Sequence, residues 1–187
     1  MADIEKMILQ IKLRRGDQNA HRFLWRKTED EDLKAYCMTR VTFGDMCSPF
    51  LPISTVQNHA QHHHSEYPKA ADEVSENMYV DDLLTGAEDA ENAVQLKNDL
   101  RNLLNSGGFK LTKWASNSDK VMKSIPPQER AQQSVICDES EEDIEKMSNL
   151  LKVLGVSWDI KEDLLLFKAN ESISKEDEST KRGLSYF

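Results

Sequence analysis

Hydrophobic positions along this chain fall in short runs separated by polar turns, and one longer run keeps a helical period. Ala93, Leu96, Leu100, Leu103 and Leu104 recur at spacings that place them on one helical face. Glu88, Asp89 and Glu91 load the first turns, where the helix dipole favours anions, and Gly107-Gly108 ends the run. A second helix is predicted to open at Pro49, since proline suits a first turn, and to run through Leu51, Ile53 and Val56 towards the histidines. Ser65 to Pro68 ends it. Ser118 is placed to cap a short helix that stops before Pro126-Pro127. The strands are shorter. Asp3–Leu13 reads as strand, turn and strand, with Leu9, Ile11 and Leu13 alternating near its end. Gly16 to Asn19 is a turn. Arg22–Arg26 is a strand with Phe23 and Trp25 on one face, and Ala35–Thr42 is its partner across a polar turn at Asp30–Lys34. Asn77–Leu84 is predicted to be a tight hairpin and Phe109–Trp114 a strand. Leu150–Trp158 and Leu164–Phe167 form a further hairpin turned by Asp159–Asp163. Residues 128–148 read as an acidic loop with some helix, and those from Ala169 onward as a tail. Helices alternating with short hairpin-linked strands predict an α+β fold, an antiparallel sheet with helices on one face.

The length, 187 residues, suffices for one domain with a real core, and 39% hydrophobic with 30% charged residues is ordinary for a globular chain. No apolar run approaches a membrane span. The opening segment is no signal peptide, because Arg14 and Arg15 follow its apolar residues. An intracellular, cytoplasmic location is expected. Cys37, Cys47 and Cys137 are odd in number and widely spaced, which fits free thiols in a reducing compartment. The net charge of −9 runs against a chain that grips a phosphate backbone. It is unevenly spread. The first stretch is basic (Arg14, Arg15, Arg22, Arg26 and Lys27 among others), and the acid gathers at 138–145 and 171–178. A basic surface patch is compatible with the total, although a solvated surface with acidic loops accounts for most of these charges.

The residues richest in chemistry are Tyr79-Val80-Asp81-Asp82. Adjacent strand side chains face opposite ways, but a hairpin tip re-aims them, so one aspartate can face a metal while its neighbour supports it. Burying two like charges without a cation is costly. A solvated turn explains the pair at least as well as a divalent metal does. A metal reading calls for Mg²⁺, which takes hard oxygen ligands and keeps positions open for phosphates. Two such ions about 3.5–4 Å apart would serve an attacking and a leaving oxygen. The site then needs another carboxylate, for which Asp3 is the candidate.

Several blocks, taken in order, resemble the reverse transcriptase of BEL/Pao-type LTR retrotransposons. Asp3-Ile4-Glu5-Lys6-Met7 resembles the first catalytic block. Phe43-Gly44 with Ser48-Pro49-Phe50 resembles the second, and Tyr79-Val80-Asp81-Asp82-Leu83-Leu84 the third. Gly107-Gly108-Phe109-Lys110-Leu111-Thr112-Lys113-Trp114 is similar to the fourth. Leu154-Gly155-Val156-Ser157-Trp158 is similar to the fifth, and Thr180 to Ser185 to the passage out of the palm. The resemblance implies a reverse-transcriptase palm over 1–168, a tail over 169–187, and fingers and thumb missing from a longer polyprotein. It implies an RNA-directed DNA polymerase, a nucleotidyltransferase that is inactive in isolation. Its catalytic and metal-binding residues would be Asp3, Asp81 and Asp82, with Mg²⁺ or Mn²⁺ as cofactor. Ile8, Phe43, Gly44, Tyr79 and Lys113 would lie at the nucleotide, with Lys110 a second lysine for the leaving pyrophosphate beside Lys113. Leu154, Gly155 and Trp158 would form the primer grip. The partners implied are an RNA or DNA template-primer, deoxynucleoside triphosphates and the rest of the polyprotein, in the cytoplasm or a virus-like particle, in a cycle that ends in DNA integration. Ile8 stands where the family carries an aromatic against the sugar. A rival reading is a non-catalytic relic or domesticated module that binds nucleic acid or protein.

Other features invite less. His59 and His63 lie one helical turn apart, but no cysteine or carboxylate nearby completes a metal set, and a solvent-facing helix end is the simpler reading. Cys47 reads as a small buried residue, and Trp25, Trp114 and Trp158 as core rather than base-stacking platforms. No Asp-Thr-Gly or Asp-Ser-Gly turn is present, which excludes an aspartic peptidase.

Overall fold

The first three strand residues, Ala2, Asp3 and Ile4, alternate buried, half-buried and buried, as a strand does that packs one face on a core. The computed structural model describes residues 1–132 and 150–166. The chain divides into two compact units, Met1–Gln132 and Gln133–Phe187. The first runs through β1 (Ala2–Ile4), the one-turn helix α1 (Met7–Gln10), a 3-10 turn over Asp17–His21, β2 (Arg22–Trp25) and β3 (Lys34–Cys37). There follow α2 (Phe50–His62), α3 (Pro68–Glu76), β4 (Met78–Tyr79), β5 (Asp82–Leu83), α4 (Ala90–Ser106), β6 (Leu111–Thr112) and α5 (Asp119–Lys123). The described part of the second unit holds β7 (Leu150–Val153), β8 (Val156–Asp159) and β9 (Leu164–Leu166). The fold is mixed α+β with antiparallel sheets.

The central sheet of the first unit has the order β4-β5-β1-β6. Ala2, Ile4, Leu83 and Leu111 from its strands share one buried cluster with Val56 and Ala60 of α2, Ala70 and Val74 of α3, and Leu100, Leu103 and Leu104 of α4. The stripe read from the sequence is therefore the face by which α4 meets this core. Asp89 caps α4 by accepting the Asn92 amide at 2.8 Å, which satisfies one of the free donors of its first turn. Sequence reading missed Lys97. Its side chain is only 5% exposed and its ammonium donates to the Ser124 carbonyl and hydroxyl at 3.1 and 3.0 Å, tying α4 to the end of α5. Burial pushes that ammonium's pKa down.

Several predicted boundaries change, among them Ala35–Thr42, which is strand only over Lys34–Cys37, and Phe109–Trp114, which is strand only over Leu111–Thr112. Asp3–Leu13 is not strand, turn and strand. Lys6 turns the chain in left-handed conformation (φ 51°), Met7 buries into the core, and the following turn coils into α1. Of the second expected strand, only an isolated bridge between Lys12 and Arg40 remains. Pro68 does not merely end α2; it occupies the first turn of α3, whose Ala70, Ala71 and Val74 are buried at helical spacing. Leu150–Trp158 is two strands, because Leu154 (φ 50°) and Gly155 (φ 83°) reverse the chain and give the three-stranded order β7-β8-β9. Phe167, Cys137, most of the acidic loop at 128–148, the Thr180–Ser185 block and the tail lie outside the described residues. Among the described residues, no helix is long and apolar enough to cross a membrane. Cys37 and Cys47 are free thiols, both exposed, so Cys47 is not the buried residue expected.

Candidate functional site

Register decides what the central sheet presents. Tyr79 pairs with Asp82, Asp82 with Asp3, and Asp3 with Thr112, so four residues form one row across β4, β5, β1 and β6. The rows on either side of it, Met78 with Leu83 and Ala2 on one and Ile4 with Leu111 on the other, carry the apolar side chains. Because strand side chains alternate, these apolar rows face the core and the acidic row faces away from it. Asp3 does not sit on a frayed end. β1 is an inner strand, hydrogen-bonded on both sides, and Met1 and Ala115 exchange backbone bonds at 3.0 Å.

Asp81 lies in the turn between β4 and β5, where its carbonyl accepts the Ile4 amide at 2.8 Å. Val80, just before it, takes a left-handed backbone (φ 55°), a conformation that costs a β-branched residue about 1–3 kcal/mol. The strain sits at the tip that carries both aspartates.

Lys113, also left-handed (φ 51°), reaches over the row, with its Nζ 2.8 Å from Asp3 Oδ2. The Asp3 side chain is 14% exposed. The hydrogen bond to Asp3 raises the Lys113 pKa; desolvation opposes, and the charges of Asp3, Asp81 and Asp82 add to the rise. Asp82 is raised in turn, first by burial and then by the charges of Asp81 and Asp3, with Lys113 pulling the other way. Three carboxylates and one ammonium thus share a single field with excess negative charge, which attracts cations. Lys110 does not join them; it pairs with Glu5 at 3.3 Å.

The donors are hard oxygens of the kind Mg²⁺ takes. Among the described residues, however, no three His, Cys, Asp or Glu side chains stand ready as a metal cage. Lys113 holds the position nearest Asp3. The carboxylates suit a divalent ion in donor type and charge, but the Lys113 ammonium stands against Asp3 where such an ion would need that oxygen.

The other predicted site residues divide into three groups. Tyr79 is exposed at the end of the acidic row, beside Asp82. Ile8 is half-buried in α1, and Phe43 and Gly44 (φ 96°) are exposed in the loop before α2. That loop is braced by Thr42 donating to Asp45 at 3.0 Å and by Ser48 donating to the Thr42 carbonyl. It is tied to the end of α1 by the Val41 amide on the Ile11 carbonyl at 3.0 Å and by Arg40 on the Gln10 carbonyl. Among the described residues, no hydrogen bond or ion pair joins Ile8, Phe43 or Gly44 to the aspartates. Leu154 and Gly155 make the β7–β8 turn of the second unit, and Trp158 in β8 donates its indole N–H to Asp163 at 3.0 Å.

The histidines are structural where they are ordered against the fold. His59 lies 2.7 Å from the Leu103 carbonyl and 3.1 Å from the Ser106 hydroxyl, while His64 pairs with Asp72 at 3.1 Å. Thr112 was not expected at the site; only the register of β6 against β1 brings it into the acidic row. Set against known proteins, the chain matches no family model, no curated protein and no solved structure.

Proposed function

We propose that this chain is the palm region of an RNA-directed DNA polymerase resembling those of BEL/Pao-type LTR retrotransposons, with Asp3, Asp81 and Asp82 as its catalytic carboxylates. One observation carries the reading: Asp3 and Asp82 are cross-strand partners on inner strands of one sheet, with Asp81 in the adjoining turn. Asp3 and Asp82, 79 positions apart in sequence and both singled out by block order, become neighbours on one face. Mg²⁺ or Mn²⁺ bound there would supply Lewis acidity and charge neutralisation for attack of a primer 3′-hydroxyl on the α-phosphate of a deoxynucleoside triphosphate. The protein's share is positional. The inner strand fixes Asp3, the strained tip presents Asp81 and Asp82, and Lys113 holds positive charge beside the place where pyrophosphate leaves. Tyr79 would border the nucleotide, and the Leu154-Gly155 turn with Trp158 would bear on the primer.

Primer extension on an RNA or DNA template with Mg²⁺ or Mn²⁺ tests this. Extension that Asp81→Asn abolishes supports the catalytic reading. A second reading, a non-catalytic module descended from such a palm, is favoured by Lys113. Its ammonium pairs with Asp3 at 2.8 Å and so offsets part of the acidic charge without metal. Absence of extension under every condition, with no divalent binding, leaves that second reading.

A further inference from the structure

We infer that the β2–β3 ribbon is a docking surface for single-stranded nucleic acid, read through stacking on Trp25, Tyr36 and Phe23. The inference is independent of the acidic row and of any metal there. All eight strand residues of the ribbon are exposed. Its register pairs Phe23 with Tyr36 and Trp25 with Lys34, so these four side chains share one face. The three rings are already organised. Phe23 and Tyr36 stack at 5.8 Å between centroids with planes 24° apart, and Trp25 meets Tyr36 edge-on at 5.9 Å. Trp25 is 50% exposed, whereas Trp114 is 5% exposed in the core. The expectation that the tryptophans pack inside therefore holds for Trp114 and fails for Trp25.

An apolar protein partner would have to bury Lys34 among these rings, with Arg26 and Lys27 following directly after Trp25, without counter-charges. A nucleic acid strand has the complementary arrangement, with flat base faces for the rings and phosphates for the cations. Charge on the ribbon's surroundings agrees. Residues 12–40 hold eight Lys or Arg against five Asp or Glu, in a chain whose total is −9. Four of those five acids, Glu29 to Asp32, lie together between the strands, so neither ladder carries an acid. Three rings on one ribbon face suit about two or three successive bases.

Fluorescence anisotropy of labelled oligo-deoxythymidine and oligo-uridine, about 16 nucleotides long to span a full stacking site, tests the proposal without divalent ions or nucleotide. The two arms separate DNA from RNA. The expected result is saturable, salt-sensitive binding with quenching of Trp25 fluorescence. Trp25→Ala and Tyr36→Ala should each weaken binding about tenfold, Trp25→Phe should retain most of it, and Lys34→Gln should lower the salt slope by about 0.7. The substituted side chains are exposed, so melting temperatures should match the parent. If Tyr36→Ala melts early, the Trp25→Phe and Lys34→Gln pair decides. No saturable binding at low salt, binding indifferent to Trp25→Ala and Tyr36→Ala, or ribbon-dependent dimers in sedimentation velocity with no oligonucleotide bound would each overturn it.

Discussion

The central sheet and the β2–β3 ribbon are both antiparallel and both built of short strands, yet they meet water differently. In the sheet, Ala2, Ile4, Leu83 and Leu111 face helices α2, α3 and α4, and the charged row of Asp3 and Asp82 faces outward. In the ribbon nothing is buried, and the outward residues are aromatic. A two-stranded ribbon is marginal by itself, so its rings do not earn their place through core stability. The sheet turns half-buried charges away from its core, whereas the ribbon leaves its rings in water without a core beneath them.

Core truncation separates the two most sharply. Leu83→Ala should lower unfolding free energy by about 2–5 kcal/mol, whereas Leu24→Ala in the ribbon should cost about 0.5 kcal/mol or less; urea denaturation checks both. Equal losses would mean that the ribbon packs as tightly as the sheet. Gly107→Ala comes next. A methyl there would stand 2.9 Å from the His59 ring, so the ring must leave the Leu103 carbonyl, at a cost of about 1 kcal/mol.

Within the acidic row the effects are smaller and opposite in sign. Lys113→Met removes the ion pair to Asp3 and should destabilise by about 0.5–1 kcal/mol once solvent screening of the exposed ammonium is allowed for. Because Lys113 is raised in the folded state, its contribution is complete below pH 10.5 and is lost as pH climbs through the higher folded value. Asp82→Asn should do the reverse and stabilise slightly, by about 0.5 kcal/mol or less after the same screening. The folded Asp82 holds its proton more tightly than the unfolded one, so its unfavourable effect is absent below pH 3.8 and grows as pH rises through the raised value. The melting-temperature gap between parent and Asp82→Asn should therefore open in that window and stay constant above it. A gap of opposite sign would mean that Asp82 is already neutralised by more than Lys113.

How far the sequence disclosed this fold follows from which forces act locally. The α4 stripe, the Asn77–Leu84 hairpin and the β2–β3 pairing rest on periodicity and turn chemistry, and were readable. α3 was missed because its apolar positions are two alanines and a valine, too small to mark a helix until Pro68 is recognised as its opening. The reversal at Leu154-Gly155 hides in a run that reads as one strand, since the left-handed Leu154 carries no signal. For the site, the two adjacent aspartates were legible and Asp3 entered as a candidate partner. The row that joins them is a matter of register between β1 and β5, which no local pattern encodes. Lys113 was singled out only through block order, and its seat on Asp3 depends on a left-handed backbone that a lysine rarely adopts.

Titration with Mn²⁺, followed by its electron paramagnetic resonance signal, tests the central claim most directly. Convergence of Asp3, Asp81 and Asp82 predicts a saturable site that Mg²⁺ displaces, that Asp3→Asn and Asp81→Asn each weaken by about tenfold or more, and that Lys113→Met tightens. A chain that binds no Mn²⁺ at all, or binds it equally well after Asp3→Asn, would contradict the account.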